Sequence, residues 1–145
     1  MLVRFTRSIV AYSNEKYIFI PMSMDNKLGK GTLVEYLHRI YPSVIDLYRR
    51  LNKKHRSYLT QIMHVKDYNK EFFLCSLKYY YYAKYLDIYV NAALVEFEKF
   101  LRKYFNELNE KIISMPYMVD KMEDMLYELF KDYELTFLLY KSSKC

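Results

Sequence analysis

Residues 94–112 read LVEFEKFLRKYFNELNEKI and carry the most regular hydrophobic pattern in the chain. Apolar residues recur there every three or four positions: Leu94, Phe97, Leu101, Tyr104, Leu108 and Ile112. This spacing places one apolar stripe along one face of an α-helix. Because similar periodicity continues on both sides of the segment, the sequence favours a mainly α fold.

The region before this segment predicts two further helices. Thr32 followed three residues later by Glu35 forms a capping box, so a helix is expected over residues 33–40. Pro42 ends that helix because it disfavours helical geometry in the preceding residue. Ser43 then caps a second helix, which is expected to run to about Val65.

A third helix is expected from residue 67 or 69 through the four tyrosines at 79–82, with a break between Asp87 and Asn91. Pro116 starts a final helix, since proline is tolerated in a first turn. The apolar stripe of this last helix is Met118, Met122, Met125, Leu126, Leu129 and Tyr133.

The N-terminal segment has strand character instead. Residues 2–12 and 16–20 are rich in β-branched and aromatic side chains, and Ser13-Asn14-Glu15 between them is typical of a turn. We therefore expect a β-hairpin, with an amphipathic helix as the alternative. The predicted organisation is one domain, residues 1–145, with a hairpin or N-terminal arm over 1–24 and a compact bundle of four to five helices over 32–140.

Positive charge is concentrated in the first part of the chain. Residues 1–56 hold 11 Lys and Arg against 4 Asp and Glu, a net charge of +7 in a chain of net charge +6. A dense basic cluster usually meets an acidic partner or a polyanion. The predicted partner-binding residues are Arg49, Arg50, Lys53, Lys54 and Arg56, together with Arg4 and Arg7. A solvated helix face that only keeps the protein soluble is the alternative.

No pattern in the sequence indicates catalysis, so an enzyme, a metal site and a cofactor are not expected. The three histidines lack metal-ligand spacing, and no nucleophile-elbow or dinucleotide-binding motif occurs. The segment Lys27-Leu28-Gly29-Lys30-Gly31-Thr32 lacks the glycine spacing and the Gly-Lys-Ser/Thr ending of a P-loop, which argues against a phosphate loop. No apolar run reaches the roughly 18 residues of a membrane span.

The chain is rich in Tyr (18 residues) and poor in Gln, begins Met-Leu-Val-Arg-Phe and ends Lys-Ser-Ser-Lys-Cys. In these features it resembles the RNA polymerase inhibitory proteins of archaeal viruses such as Acidianus two-tailed virus. The resemblance implies a non-enzymatic protein that lodges in the DNA-binding channel of the host archaeal RNA polymerase. There it would restrain the clamp and block promoter DNA loading and transcription, with no small-molecule substrate.

Two other interpretations remain open at this point. The same basic residues would suit a nucleic-acid-binding or virion DNA-packaging protein, or weak nonspecific contact with nucleic acid. A helical decoy that traps a host helix beside the Met-rich stripe is a third interpretation. The expected location is the host cytoplasm, with carriage in the virion left open. The low Gln content and abundant Lys and Glu favour a hot environment, with an AT-rich genome, which enriches Tyr, Lys, Ile and Asn, as the alternative explanation.

Overall fold

The structure is a computed structural model that describes residues 1–55, 58–105 and 110–142. Strands and helices alternate along most of this part of the chain. They are β1 (Leu2–Thr6), a 3₁₀ helix (Val10–Tyr12), β2 (Tyr17–Ser23), α1 (Leu33–Ile40), α2 (Pro42–Lys54), β3 (Ile62–Asp67), β4 (Lys70–Lys78), α3 (Asp87–Tyr104), β5 (Ile112–Pro116), α4 (Met122–Phe130) and β6 (Thr136–Tyr140).

The six strands form one mixed sheet in the order β1-β6-β5-β2-β4-β3. All neighbouring strands are parallel except β3, which pairs antiparallel with β4. Helices α1 and α2 pack on one face of the sheet, and α3 and α4 pack on the other. The molecule is therefore a three-layer α/β/α domain with a hydrophobic core on each side of the sheet.

The prediction of a mainly α helical bundle is wrong. The neighbouring interior strands β2 and β4 are buried on both faces, so their sequences are nearly continuous apolar runs. Alternating residues of each strand fill opposite cores: Ile18 and Phe72 pack under α1 and α2, whereas Phe19 and Phe73 pack under α3 and α4. Doubly buried parallel strands show no polar alternation, and a continuous apolar run fits a helix equally well.

Two of the predicted helices extend into segments that are strands. Helix α2 ends at Lys54, and the segment expected to continue it as far as Val65 contains most of β3. The residues expected to begin the third helix form β4, which ends at Lys78, just before the four tyrosines. A left-handed turn at Tyr68 and Asn69, with φ angles of 55° and 59°, joins β3 to β4.

The ends of the remaining predicted elements also differ. The segment 2–12 and 16–20 does contain two strands, but β1 and β2 are not a hairpin, because β6 and β5 lie between them. The central helix of the prediction is α3, which begins at Asp87 and stops at Tyr104. Ile112 begins β5 and Pro116 ends it, so proline does not start the last helix.

Candidate functional site

The sheet opens at the carboxyl ends of its two middle strands. β2 and β5 pair only through Tyr17 with Ile113 and Ile18 with Ser114, at the beginning of each strand. The chain leaves β2 toward α1 on one face and leaves β5 toward α4 on the other. This reversal is the topological switch point, where open α/β sheets bind ligands. We therefore take the crevice between the β2 and β5 ends as the candidate site.

The loop after β2, residues 24–32, is called here the glycine loop because it holds both glycines of the chain. Its first turn is organised by the carboxylate of Asp25, whose Oδ1 accepts hydrogen bonds from Ser23 Oγ at 2.8 Å and from the Lys27 amide at 3.2 Å. Asn26 has a left-handed φ of 61°. The loop thus has a defined conformation that its own side chains maintain.

The end of the glycine loop caps α1. Thr32 is the N-cap, and its Oγ1 accepts a hydrogen bond from the Glu35 amide at 3.4 Å and donates one to the Gly29 carbonyl at 2.6 Å. Glu35 reaches back to the Gly31 amide at 3.2 Å. The predicted N-cap is confirmed. Gly31 has a φ of 78°, a conformation that favours glycine.

Three successive backbone donors of the glycine loop have no acceptor within the described residues. These are the amide N–H groups of Leu28, Gly29 and Lys30, called here the amide row. They directly precede the N-terminus of α1, where the helix dipole favours negative charge. The side chains of Lys27 and Lys30 are exposed and add positive charge. Such a segment can bind a phosphoryl group through backbone N–H donors.

Helix α2 fixes the other side of the glycine loop. Arg49 Nε donates to the Asn26 carbonyl at 3.0 Å, and Asn26 Nδ2 donates to the Arg49 carbonyl at 2.9 Å. Asn52 Nδ2 lies 2.6 Å from Asn26 Oδ1 and 3.0 Å from the Met24 carbonyl. The most basic helix of the protein therefore adjoins the loop that carries the amide row.

The segment after β4, residues 79–86, is called here the tyrosine loop. The backbone N–H of Tyr81 donates to Asp25 Oδ2 at 3.0 Å, which joins the two loops. The Tyr81 ring lies against Gly29 so closely that a Cβ added there would collide with it. The cavity enclosed by β2, β4, the start of α1 and this loop has a volume of about 10 Å³.

The loop after β5, residues 117–121, is called here the β5–α4 loop and contains no glycine. Two of its amides have side-chain acceptors nearby: Met118 N donates to Met122 Sδ at 3.2 Å, and Lys121 N donates to the Tyr117 hydroxyl at 2.9 Å. That hydroxyl donates in turn to Glu123 Oε1 at 3.4 Å, and burial raises the pKa of Tyr117. Met118 and its neighbour Val119 are buried, so this wall of the crevice is largely apolar.

The predicted partner-binding residues do not form one surface. Arg50, Lys53 and Lys54 are exposed on α2, which contacts β3 near one edge of the sheet. Arg4 and Arg7 are exposed on and just after β1, which is the opposite edge strand. Arg49 is partly buried against the glycine loop, and Arg56 lies outside the described residues. A binding role for any of them stays a prediction.

Neither a membrane-spanning helix nor a metal-binding cluster is found among the described residues. No helix among residues 1–55, 58–105 and 110–142 is long and apolar enough to cross a membrane. Within the same ranges, no group of three or more His, Cys, Asp or Glu side chains is placed to hold a metal ion. The buried Cys75 lies on β4, where burial raises the pKa of its thiol.

The fold is that of macrodomains. The macrodomain of Thermus aquaticus DarG matches with a TM-score of 0.77 at 13% identity, over 96% of this chain and 97% of that one. The macrodomain of Mycobacterium tuberculosis DarG matches with a TM-score of 0.77 at 14% identity and the same coverage. Thermosipho africanus DarTG, solved in complex with ADP-ribose, gives 0.76 at 10% identity, over 97% of this chain and 42% of that longer chain. No protein-family model and no curated protein sequence matches.

These similarities overturn the resemblance to viral RNA polymerase inhibitors, because the structural neighbours are macrodomains. Inhibition of RNA polymerase in its DNA channel, and the alternative of DNA packaging, are therefore not supported. The expectation of no small-molecule substrate is contradicted by a neighbour that holds ADP-ribose. The expectation of no enzyme also conflicts with the fold, since macrodomains are typically binders or hydrolases of ADP-ribose.

Sequence reasoning missed the glycine loop as a site because it tested only the P-loop spacing. Two signals were available. The only two glycines of the chain lie two residues apart, and they sit between an apolar strand sequence and a capped helix. A strand followed by a glycine turn and a helix N-terminus is the general arrangement for phosphate binding, whatever its spacing.

Proposed function

We propose that this protein binds ADP-ribose in the crevice between the carboxyl ends of β2 and β5. The observation that carries the proposal is the amide row: three backbone donors with no acceptor among the described residues, at the switch point of a macrodomain fold. The solved complex of a structural neighbour with ADP-ribose supports this choice of ligand.

The diphosphate is the part of ADP-ribose that the described chemistry suits best. Phosphoryl oxygens accept hydrogen bonds from successive backbone amides, and the amide row supplies them just before α1. The ammonium groups of Lys27 and Lys30 are exposed on the same loop and lower the cost of bringing two negative charges to it. The β5–α4 loop supplies an apolar wall through the buried Met118 and Val119.

Calorimetry with the purified protein tests the proposal directly. ADP-ribose is expected to bind, whereas adenosine, which lacks the diphosphate, is expected to show no measurable binding. Lys30→Pro removes one donor of the amide row, and Lys30→Ala removes the charge but keeps the amide. Because a hydrogen bond to a charged group contributes about 1.5–3 kcal/mol, the proline variant should lose roughly 10- to 100-fold more affinity. Equal affinity for ADP-ribose and adenosine would rule out a phosphate site here.

Hydrolysis of an ADP-ribosyl bond is a second candidate, favoured by the position of Asp25. Its carboxylate adjoins the amide row, and the only contact of Oδ2 among the described residues is the Tyr81 amide. A carboxylate beside a bound sugar can orient or deprotonate a water. The expected result is release of ADP-ribose from an ADP-ribosylated acceptor, slowed about 100-fold or more in Asp25→Asn with ADP-ribose affinity retained. Full activity of that variant would exclude Asp25 as the base.

A further inference from the structure

The ring of Tyr81 covers the glycine loop. Gly29 is buried beneath it, and a Cβ on Gly29 would collide with ring atoms Cδ2 and Cε2. Tyr81 and Thr32 also line the cavity of about 10 Å³ between the two loops. A volume of that size holds no more than one water molecule, so it cannot hold a phosphoryl group. In this conformation, an aromatic ring lies against Gly29, the middle residue of the amide row.

A hydrogen bond and a ring contact join Tyr81 to the glycine loop. The hydrogen bond runs from Tyr81 N to Asp25 Oδ2, and the ring lies against Gly29. Further along the loop, Lys78 Nζ donates to the Ala83 carbonyl at 3.1 Å and lies 4.4 Å from the ring centroid of Tyr85, which packs against the core. Moving Tyr81 away from Gly29 therefore breaks one charge-assisted hydrogen bond and one ring contact, while Tyr85 keeps its place.

The other three of the four consecutive tyrosines are exposed. The exposed fractions are 47% for Tyr79, 53% for Tyr80 and 70% for Tyr82, and the rings of Tyr80 and Tyr82 stack on each other at 5.4 Å. Tyr81 alone of the four lies on Gly29. A segment of mostly exposed side chains belongs to the low-stability part of a structure, where lids are found.

We infer that Tyr81 is a lid that must leave Gly29 before a phosphorylated ligand reaches the amide row. The inference rests on the proposed binding of ADP-ribose to this loop. Displacement of Tyr81 exposes the Gly29 backbone and releases Asp25 Oδ2 from the Tyr81 amide at the same moment. Ligand entry and the freeing of this carboxylate are thereby coupled through a single side chain and its own peptide group.

Association kinetics test the lid. ADP-ribose binding is followed by stopped-flow or surface plasmon resonance for the wild type, for Tyr81→Ala and for Tyr79→Ala, an exposed neighbour that serves as the matched control. If the open conformation is a minor state of 10% or less, removing the ring raises the association rate by at least about tenfold. The control should keep the wild-type rate, and thermal unfolding of each variant verifies its fold.

A second readout uses the absence of tryptophan from the chain. In Tyr81→Trp, the indole is the sole tryptophan, and its emission should shift to longer wavelength and become easier to quench with acrylamide when ADP-ribose saturates the protein. Unchanged association in Tyr81→Ala, or an indole that becomes more protected, overturns the lid while ADP-ribose binding stands. If neither the wild type nor Tyr81→Ala binds ADP-ribose, the proposed function fails, and the lid with it.

Discussion

The two loops that flank the crevice use their backbone amides differently. In the glycine loop, three successive amides have no acceptor among the described residues, and side chains of α2 and α1 hold the loop from outside. In the β5–α4 loop, the amides of Met118 and Lys121 bind a sulfur and a hydroxyl of nearby side chains. The glycine loop therefore has successive amide groups available to a ligand, whereas at least two amides of the β5–α4 loop are hydrogen-bonded to nearby side chains.

This difference follows from composition. Glycine lets a backbone approach a ligand closely and adopt left-handed angles, and both glycines are in the first loop. The second loop reaches a left-handed angle only at Lys121, with a φ of 62°, and covers its backbone with buried Met118 and Val119. The glycine loop is therefore the better candidate for phosphate binding, and substitutions in the two loops should have separable effects.

The largest expected effect comes from Gly29→Ala. The added methyl collides with the Tyr81 ring and lies 2.9 Å from Thr32 Cγ2, and such overpacking costs about 1–3 kcal/mol. ADP-ribose affinity should fall by at least about tenfold because the amide row is displaced. Calorimetry and thermal unfolding measure both losses. In a Tyr81→Ala background the same substitution should cost less, and an undiminished cost there would show that Tyr81 is not the colliding group.

Tyr117→Phe should show the reverse pattern. Removing the hydroxyl leaves the Lys121 amide and Glu123 Oε1 without a partner, at a cost of about 1–3 kcal/mol in the free energy of unfolding. ADP-ribose affinity should stay within about twofold, since no donor of the amide row is involved. Urea unfolding measures the loss of stability, and calorimetry measures the affinity for ADP-ribose. A large loss of affinity without loss of stability would place the ligand on the β5–α4 loop instead.

Thr32→Ala should have a smaller effect that belongs to the glycine loop. It removes the N-cap acceptor of Glu35 N and the donor to the Gly29 carbonyl, so α1 should lose about 1 kcal/mol. Thr32→Ser keeps both hydrogen bonds and is the matched control. Chemical unfolding gives the stability difference, and hydrogen exchange in α1 locates it. A loss spread evenly over the sheet would contradict a capping role.

The smallest expected effect concerns His64, which lies at the opposite end of the sheet from both loops. Burial lowers the pKa of His64 on β3, and a smaller repulsion from Lys66 acts in the same direction. The hydrogen bond of His64 with Glu71 at 2.8 Å opposes them by raising the pKa. The folded state thus binds the proton less readily than the unfolded state. Its free energy of unfolding should be highest above the ordinary histidine pKa of about 6.5 and decrease as the pH falls below it.

Urea unfolding between pH 7.5 and pH 5 measures this dependence, with His64→Gln as the control that should flatten it. The comparison with the control also removes the contribution of the exposed His38, which lies 2.9 Å from Asp46. A stability that rises toward pH 5 would mean that the attraction of Glu71 outweighs burial.

Local signals in the sequence located some elements well and could not locate others. The N-cap Thr32 and helix α1 follow from capping chemistry, which acts over a few residues. The break expected between Asp87 and Asn91 from weak helix propensity lies where α3 begins. Residues 70–78 form a strand because of their tertiary burial, since Phe72, Phe73 and Leu74 would fit a buried helix equally well. The apolar spacing of α3 continues past Tyr104 to Ile112, which led to the expectation of a longer helix. Only pairing with β6 and β2 identifies the segment from Ile112 as strand β5.

The candidate site was harder to predict for a related reason. Each of its parts is ordinary alone: a glycine pair, an aspartate and a tyrosine run. Their meeting depends on the order of the strands, which brings the loop after β2 beside the loops after β4 and β5. The basic cluster is prominent in the sequence. Arg49 is the member of it that contacts the glycine loop, through its guanidinium group and its backbone carbonyl.

The pairing of β1 with β6 has a consequence for how the chain folds. Leu2 lies beside Thr136, and Lys141 N closes the ladder on the Thr6 carbonyl at 2.8 Å. β1 therefore gains its partner only after β6, more distant in sequence than the other strands, has been synthesised. Contacts between such distant residues slow folding, and during translation β1 exposes an unpaired apolar strand. We expect this edge of the sheet to be the last part to become protected from hydrogen exchange during refolding.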